Sequence, residues 1–370
     1  MPMTDSPNPF MGQRKEELET PVLLVNLDTF EANMAELVQF CQTYKTDWRP
    51  HSKSHKSPEI ARLQLEAGAI GITCAKLSEA ELMVAHGIGP ILIANQIVTP
   101  SKLNRLAALQ RHQEVIAAVD DPGVVSMLGQ AARDQGVEVP IFIELDIGMD
   151  RGGAQPGQPV LELAQAITAT SGLAFRGLMG WEGHVLALHP FEEKERACHQ
   201  ALDHLLESRN LLRKHGIEVG TISAGGTGCF EITAAYPGIT ETQAGGGIFM
   251  DAMYSRKFQV KNLQCGLTIL ATVTSRTHSH VIVDAGFKTM SAYHHSPVPI
   301  DRDDLDLRYL SAEHGIFDIR KGHAGPQIGE RIEFLVGYGD STTFLHDRFL
   351  GIREGQVEKV WEILGRGKLI

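Results

Sequence analysis

The residues best suited to take part in a chemical reaction are the lysines and histidines of one short stretch, residues 48–56, which reads WRPHSKSHK. Lys53 lies at its centre, with His51 and His55 two residues away on either side. A lysine becomes a nucleophile toward carbonyl groups when burial or neighbouring cations depress its pKa, because only the free amine attacks. The stretch is therefore either a reactive amine with its surroundings or an ordinary basic surface loop.

Two glycine-rich turns lie later in the chain, GGTG at residues 225–228 and GGG at residues 245–247. Residues without a Cβ allow successive backbone N–H groups to converge on one anion. Each turn follows a strand-like run, and the late loops of an α/β barrel commonly bind phosphate. The pair therefore predicts a phosphate site, although each turn alone is also typical of ordinary loops. A Gly-x-Gly-x-x-Gly motif in an early strand–helix unit is absent, which disfavours dinucleotide binding.

Short apolar runs alternate with helical segments from Pro21 onward, with about 20 to 25 residues for each strand and helix. This spacing predicts an α/β fold with a (β/α)8 barrel of the TIM type. The first barrel strand is predicted at residues 22–27, followed by a helix with Asp28 as N-cap and Glu31 completing a capping box. Lys53 then falls at the carboxyl end of the next strand, where barrel enzymes carry catalytic groups.

Beyond about Asp251 the pattern changes to alternating β-type runs separated by turns rich in Gly and Asp. This texture is typical of an antiparallel β domain. We therefore predict a barrel domain at residues 21–252 and a β domain at residues 253–370, joined by residues 1–20.

Composition excludes several classes of protein. The 370 residues are 43% hydrophobic and 21% charged, and no stretch approaches the roughly 20 apolar residues of a membrane span. A net charge of −11 disfavours nucleic acid as a partner. The first residues lack the apolar core of a secretion signal, and the five cysteines form no CxxC pair. We expect a cytoplasmic protein without disulfides that acts on a small molecule.

A strand-end lysine together with a phosphate site favours pyridoxal 5'-phosphate (PLP), whose aldehyde binds an amine and whose phosphate binds backbone donors. The chain resembles the D-threonine aldolase and D-serine dehydratase family of fold-type III PLP enzymes, which shares its barrel with alanine racemase. The matching segments follow the family order: RPHSKSHK, DIGMDRGG, GLMGWEG, SAGGTG, TQAGGG, VDAGFK, EHG and FLHD.

The resemblance implies roles for individual residues. Lys53 is expected to bind the cofactor aldehyde covalently, and His51 to shape the surroundings of that amine as part of the catalytic set. Arg151 is expected to hydrogen-bond the phenolic oxygen of the cofactor, and Trp181 to lie near the pyridine ring. The residues expected at the phosphate are Gly226, Thr227, Gly245 and Gly246, with Gln243 positioning the ring or the phosphate and Glu182 near the ring nitrogen.

One position departs from the family pattern. The family holds a divalent metal with a His-x-Asp or His-x-Cys pair, whereas this chain has Tyr338-Gly339-Asp340. A neutral phenol is a poor metal ligand, so a metal at Asp340, helped by His346 or Asp347, stays an open expectation. Tyr338 could instead act as a second base, as a tyrosine does in alanine racemases.

Three functions are therefore compatible with the sequence. The first is a PLP-dependent lyase acting on a β-hydroxy-D-amino acid, either by retro-aldol cleavage or by elimination of the hydroxyl group. The second is a metal-independent racemase or epimerase that uses Lys53 and Tyr338 as opposed bases. The third is a non-catalytic cofactor-binding protein. The resemblance also implies a homodimer.

Overall fold

The computed structural model describes residues 8–370, so residues 1–7 of the expected β-domain segment 1–20, and of the region searched for a secretion signal, lie outside the described residues. Two sheets organise the described chain, an eight-stranded parallel sheet and a nine-stranded sheet that is mainly antiparallel. Along residues 8–370, no helix combines the length and apolar character needed to cross a membrane.

The first strand, β1 (Val22–Asn26), belongs to the nine-stranded sheet. The strands of the parallel sheet follow it in the chain: β2 (Asp47–Trp48), β3 (Ile72–Cys74), β4 (Ile91–Ile93), β5 (Val115–Val119), β6 (Val139–Leu145), β7 (Leu173–Gly180), β8 (Thr221–Ala224) and β9 (Glu241–Thr242). The helices are α1 (Leu27–Tyr44), α2 (Pro58–Ala67), α3 (Leu77–Ala85), α4 (Pro100–Leu109), α5 (Pro122–Gln135), α6 (Gln158–Ala169), α7 (Phe191–Lys214), α8 (Phe230–Ala235) and α9 (Gly339–Thr343).

The parallel strands are ordered β2-β9-β8-β7-β6-β5-β4-β3. The Thr73 amide donates to the Pro50 carbonyl at 2.9 Å, and His51 and Thr73 form a parallel bridge, so hydrogen bonds also join the two ends of this order. The sheet therefore curls into a barrel. Every residue of β4, β5 and β6 is buried, as expected for strands covered on both faces. The predicted α/β barrel with an antiparallel β domain is confirmed.

Local sequence signals explain where the barrel helices begin and end. Asp121 caps α5 by accepting hydrogen bonds from the amides of Gly123 (2.7 Å) and Val124 (3.1 Å), and Pro122 occupies the first turn. The helix ends at Gly136, whose φ of 64° is left-handed. The helices thus place the strand ends, and the loops after them, at fixed positions around the barrel.

The nine-stranded sheet consists of β1 and strands from the last third of the chain: β10 (Leu267–Arg276), β11 (His280–Val283), β12 (Val298–Pro299), β13 (Leu305–Leu310), β14 (Gly315–Ile319), β15 (Arg331–Leu335), β16 (Arg348–Arg353) and β17 (Gln356–Glu362). β1 pairs antiparallel with β10 and parallel with β16. The prediction that residues 22–27 form the first barrel strand is therefore wrong. Both environments bury a central strand on two faces, so an apolar run does not distinguish them.

The predicted cap of α1 is also wrong. The Asn26 side chain accepts the hydrogen bond from the Thr29 amide at 2.9 Å, so Asn26 caps the helix. Asp28 and Glu31 instead form ion pairs with Arg353 of β16, the second with an N–O distance of 2.6 Å. The acidic residues of the first helical turn therefore form ion pairs with a distant segment of the chain. A local sequence pattern does not predict such ion pairs.

The contacts divide the chain into two compact units. The barrel unit comprises Ala35–Lys53, Ile60–Gly246 and Gly367–Ile370, and the sheet unit comprises the described residues up to Met34, Ser54–Glu59 and Gly247–Arg366. A core cluster of the barrel unit is Leu92, Ile116, Ala118, Phe142 and Met179, and one of the sheet unit is Leu18, Leu24, Leu270, Leu350 and Val357. The domain boundaries 21–252 and 253–370 stay a prediction.

Candidate active site

Lys53 lies in a 3-10 turn, Ser52–Ser54, that follows the carboxyl end of β2. Its backbone amide donates to His51 Nδ1 at 3.3 Å, so that ring nitrogen acts as an acceptor. Ser52 is fully buried, and its hydroxyl donates to Glu79 Oε1 at 2.6 Å. The turn is therefore held from both sides of Lys53, which fixes the point from which the lysine side chain departs.

Trp181 brings Lys53 and Arg151 together within the barrel unit. Lys53 Nζ lies 5.7 Å from the centroid of the indole ring, and Arg151 Cζ lies 4.9 Å from it. Both distances are within the range of cation–π attraction. Three residues that the sequence analysis proposed for one site thus share one aromatic surface.

Arg151 is oriented by a residue that the sequence analysis missed. Its Nη2 atom lies 3.6 Å from Glu144 Oε1, and Gln96 Nε2 donates to the other oxygen of Glu144 at 2.5 Å. Burial raises the pKa of the Glu144 carboxyl, while the Gln96 hydrogen bond and the Arg151 charge oppose that shift. An acidic residue within the apolar strand VPIFIEL was the available signal for it.

The first glycine-rich turn, which we call the GGTG loop (residues 225–228), joins β8 to α8. Gly225 has a φ of +81°, and a Cβ on Gly226 would lie 3.1 Å from Trp181 Nε1. Thr227 is 3% exposed, and its hydroxyl has no hydrogen-bond partner within residues 8–370. A buried donor of this kind is costly to leave unpaired, and an anion at the loop would pair it.

Glu182 holds the GGTG loop through hydrogen bonds. It is fully buried, and its carboxylate accepts hydrogen bonds from the Gly225 amide at 3.2 Å, the Cys229 thiol at 3.2 Å and the Thr233 hydroxyl. The interaction with Cys198, together with burial and the charge of Glu182, raises the pKa of the Cys229 thiol, so the thiol stays a donor. These contacts direct the carboxylate to the loop, and its expected place near the ring nitrogen stays a prediction.

The second glycine-rich turn has a steric explanation. A Cβ on Gly245 would lie 2.1 Å from the His51 carbonyl oxygen, so only glycine allows the end of β9 to pass that backbone. Gly246 begins a 3-10 turn, Gly246–Ile248. Gly245 therefore positions the turn that carries Lys53, and a contact of either glycine with phosphate stays a prediction.

Gln243 belongs to a buried polar network of the barrel unit. Its Nε2 donates to Ser223 Oγ at 2.9 Å, and that hydroxyl donates to Glu241 Oε1 at 2.7 Å. Arg49 pairs with the second oxygen of Glu241 at 3.0 Å. The network holds the Gln243 amide in place, and its expected role toward a cofactor ring or phosphate is not tested by these contacts.

Tyr338 and Asp340 lie in the sheet unit at the start of α9. The Tyr338 hydroxyl donates to Asp340 Oδ2 at 2.8 Å. Burial and the nearby carboxylates raise the pKa of the Tyr338 phenol far above its usual range, so the phenol keeps its proton at neutral pH. The pair therefore offers a protonated phenol bound to a carboxylate.

The donors near Asp340 do not fit a metal site. Across residues 8–370, no group of three or more His, Cys, Asp and Glu side chains is arranged to hold a metal ion. His346 Nε2 lies 2.8 Å from the Thr289 carbonyl oxygen, and Asp347 pairs with Arg366 at 2.6 Å. Both groups that were proposed to help Asp340 thus have protein partners, and Asp340 itself accepts a hydrogen bond from the Tyr338 phenol.

A parallel barrel with a lysine after its first strand, followed by an antiparallel sheet, defines the class of alanine racemase-like proteins. The family model for the alanine racemase N-terminal domain matches residues 25–253, and the model for a serine dehydratase domain matches residues 266–352. The predicted fold family is confirmed by these matches.

Individual relatives identify the family to which the chain belongs within this class. D-threonine aldolase of Arthrobacter sp is 36% identical over 96% of this chain and 95% of its own length, and 3-hydroxy-D-aspartate aldolase of Paracoccus denitrificans (strain Pd 1222) is 32% identical over 96% and 94%. The crystal structure of D-threonine aldolase from Filomicrobium marinum superposes with a TM-score of 0.94 at 33% identity, covering 97% of this chain and 99% of that one. The chain therefore belongs to the family of D-threonine aldolases and 3-hydroxyaspartate aldolases and dehydratases.

These relatives are aldolases and dehydratases, which are lyases, and they confirm the predicted enzyme class. The family implies PLP, and the residues present fit that cofactor. The barrel unit offers an amine on Lys53, an aromatic face on Trp181, a guanidinium on Arg151 and the buried hydroxyl of Thr227, which has no hydrogen-bond partner among residues 8–370.

Proposed function

We propose that the protein is a PLP-dependent lyase that acts on a β-hydroxy-D-amino acid. The observation that carries this proposal is the convergence of Lys53 and Arg151 on the Trp181 ring, with the GGTG loop at the edge of the same ring. An amine, a planar cation, an aromatic platform and an anion-binding loop match the functional groups of PLP. The similarity to enzymes named for such substrates supports the choice of substrate class.

Each residue has a proposed task toward the cofactor. Lys53 holds it covalently through the side-chain amine, and Trp181 supports the ring beside that amine. Arg151, oriented by Glu144, donates to the phenolic oxygen, and Thr227 donates its hydroxyl to the phosphate. His51 holds the backbone of Lys53 and so fixes where the amine stands. When bound, PLP supplies an electron sink for the charge left on Cα as a bond to that carbon breaks.

Further contacts are proposed for the remaining predicted residues. Gly226 leaves room for the phosphate beside Trp181, and Gly245 and Gly246 complete the phosphate site from the second turn. Gln243 positions the ring or the phosphate from its hydrogen bond with Ser223.

Retro-aldol cleavage is the favoured reaction. A base removes the proton of the β-hydroxyl group, the Cα–Cβ bond breaks, and the products are an aldehyde and, after Cα takes up a proton, glycine or its analogue. The two aldolase relatives align over 96% of this chain, whereas the D-threo-3-hydroxyaspartate dehydratase of Delftia sp. (strain HT23) aligns over 74% at 30% identity. Elimination of the hydroxyl group to give a keto acid and ammonia is the second candidate.

The racemase alternative has less support. A second base must lose its proton near neutral pH, and the raised pKa of Tyr338 opposes that loss. The alanine racemase of Desulforamulus reducens is 26% identical over only 42% of this chain.

A substrate screen tests the proposal. Protein saturated with PLP is incubated with D-threonine, D-serine and 3-hydroxy-D-aspartate, and the products are scored as aldehyde plus glycine or as keto acid plus ammonia. We expect aldehyde and glycine from at least one substrate, and none from a Lys53→Ala variant. Racemised substrate without cleavage would instead support the alternative, and no change in any substrate would contradict an enzymatic role.

We propose that the activity does not depend on a divalent metal held by Asp340. The support is the donor set, since the histidine of the family pair is replaced by Tyr338, which is bonded to Asp340. Dialysis against a chelator should leave kcat/KM unchanged within about twofold, and adding Mn²⁺ or Mg²⁺ should restore nothing further. A tenfold loss on dialysis that Mn²⁺ reverses would contradict this.

The family resemblance also supports a homodimer in the cytoplasm. Sedimentation equilibrium should give about twice the chain mass of 40.5 kDa. A monomer mass at micromolar concentration would contradict the dimer.

A further inference from the structure

Lys194 is a buried lysine in the first turns of α7. It is 4% exposed, although the charged residues beside it in the sequence EEKER are all open to solvent to some degree. It lies on the face of the helix that also buries Cys198, Leu202 and Leu205, where an apolar residue is expected. A lysine is rarely buried to this extent without a polar partner, because its charge loses hydration. The placement of a lysine at this position therefore has a specific reason.

The side chain of Lys194 reaches the GGTG loop. Its ammonium group donates a hydrogen bond to the carbonyl oxygen of Gly228, the last residue of the loop. The first residue of the loop is bound by a group of the opposite charge, since the Glu182 carboxylate accepts from the Gly225 amide at 3.2 Å. All four residues belong to the barrel unit. Two buried charged side chains thus hold the two ends of one loop.

The bond from Lys194 favours an anion at the loop in two ways. The Gly228 oxygen is the negative end of a peptide dipole, and its bond to a cation weakens its repulsion of an anion. The ammonium group also places a positive charge next to the loop, in a buried setting where charges are poorly screened. Burial lowers the pKa of Lys194, and the negative charge of Glu231 in α8 opposes that lowering. A bound phosphate would oppose it further, so the cation and the anion stabilise each other.

We propose that Lys194 is a positioning residue of the cofactor-phosphate site, and that its ammonium group prepares the GGTG loop for the phosphate of PLP by binding Gly228. This inference rests on the proposed function, in which Thr227 of the same loop donates to that phosphate. Lys194 acts through the loop and does not contact the cofactor itself. A lysine that served only the packing of α7 would affect cofactors with and without a phosphate equally, which separates the two roles.

The test compares the affinity for PLP with the affinity for pyridoxal, which has the same ring and aldehyde but no phosphate. Both are titrated into the full-length protein freed of cofactor, and the absorption of the bound aldehyde is followed. Lys194→Met should weaken PLP binding by at least about tenfold and pyridoxal binding by less than about threefold, because the lost charge acts on the phosphate. Lys214→Met, at the exposed end of α7, is the matched control and should change neither affinity.

A second variant covers the case in which Lys194→Met does not fold. Lys194→Gln keeps a hydrogen-bond donor without the charge, so PLP affinity should fall by roughly three- to tenfold while pyridoxal affinity changes little. Equal losses for the two compounds, or no loss for either, overturn this inference alone. A wild-type protein that binds PLP no more tightly than pyridoxal overturns the phosphate site at the loop and this inference with it. A wild-type protein that binds neither compound overturns the proposed function as a whole.

Discussion

Lys53 and Arg151 approach the same indole ring, with Lys53 Nζ at 5.7 Å and Arg151 Cζ at 4.9 Å from the ring centroid. Their shared contact is therefore electrostatic and dispersive, and it depends on the face of the ring more than on its N–H group. Trp181 thus offers one aromatic surface to two basic side chains.

Replacement of Trp181 tests that platform. Trp181→Ala should weaken PLP binding by about tenfold, because it removes the aromatic face proposed to support the cofactor ring, and contacts between aromatic rings contribute on the order of 1 kcal/mol. Trp181→Phe keeps an aromatic face and should lose less than about threefold. The affinity is measured by titrating PLP and following the absorption of the protein-bound cofactor. Equal losses in both variants would show that the indole N–H, not the ring face, is the important group.

Asp251 is a buried acid whose titration affects the stability of the sheet unit. Burial raises the pKa of Asp251 to about 7, although the amides of Gly339 (2.7 Å) and Tyr254 (2.9 Å) donate to it. A folded pKa above the unfolded value of about 3.9 means that the folded state binds the proton more tightly. The contribution of this proton to stability is complete below about pH 4 and is lost as the pH rises through 7.

Asp251→Asn should therefore flatten the pH dependence of stability. Between pH 4 and pH 7 the wild-type free energy of unfolding should fall relative to that of the variant, because the asparagine does not ionise. The measurement is urea denaturation at several pH values for both proteins. Parallel curves across this window would contradict the raised pKa. At low pH the variant is expected to be less stable than the wild type. The asparagine amide has one acceptor oxygen for the two backbone N–H groups that donate to Asp251.

The sequence indicated the chemistry of single residues better than their partners. Lys53, Arg151 and Trp181 could be proposed because their types suit a cofactor and because the family motifs surround them. Glu144 and Glu182 act through other residues, and the contacts of Glu182 reach Gly225, Cys229 and Thr233, which lie more than forty residues away in the chain. Such contacts exist only in the folded chain, so no local pattern reports them.

The GGTG loop illustrates how an element acquires its shape. Gly225 adopts a left-handed φ of +81° and turns away from Thr242 Oγ1, which a Cβ would approach to 2.7 Å. The loop is then held by the Glu182 carboxylate, which accepts from its first amide. The buried carboxylate thus holds the glycines of the loop in one conformation. In that conformation the hydroxyl of Thr227 has no hydrogen-bond partner among the described residues.

Glu182→Gln should loosen this loop. The amide nitrogen replaces one acceptor oxygen and would face a donor, either the Gly225 N–H or the hydroxyl of Thr233. We expect PLP affinity to fall by roughly tenfold while the far-ultraviolet circular dichroism is unchanged. Glu192→Gln, at the exposed start of α7, is the matched control and should have no effect. Unchanged PLP affinity in Glu182→Gln would show that the loop keeps its shape without the carboxylate.

The elements as a whole were largely predictable. Alternating β-type runs are predicted beyond about Asp251, and strands of that region occur at Leu267–Arg276, His280–Val283, Arg331–Leu335 and Gln356–Glu362. Alternation of apolar residues is a local property, so it locates a strand. The sheet that a strand joins depends on partner strands elsewhere in the chain. The strand at Val22–Asn26 is for that reason predicted in the wrong sheet.

The chain passes between its two compact units several times. Residues 8–34 and Ser54–Glu59 belong to the sheet unit, although residues 35–53 between them and residues 60–246 after them belong to the barrel unit. The last residues return to the barrel unit, where the Ile370 carbonyl accepts from the Ser78 amide at 2.9 Å. Neither unit is therefore a continuous piece of chain.

A fragment of residues 247–370 should consequently fail to fold. It lacks β1, and the strands β10 and β16 that flank β1 would each expose an unpaired apolar edge. Circular dichroism and gel filtration should report an aggregated or unfolded chain. Addition of a peptide of residues 8–34 should recover β structure, whereas the same peptide with Leu24→Asp should not, because Leu24 is 1% exposed in the sheet core. Independent folding of the fragment alone would contradict this expectation.

The position of β1 also has a consequence for the order in which the protein is made. β1 leaves the ribosome before both of its partner strands, since β10 follows roughly 240 residues later and β16 later still. At about 5 to 20 residues per second, synthesis leaves this buried apolar strand without a sheet for on the order of ten seconds to a minute. During that time the barrel segments emerge and can pair with one another, while Val22–Asn26 is a candidate segment for chaperones that bind exposed apolar strands.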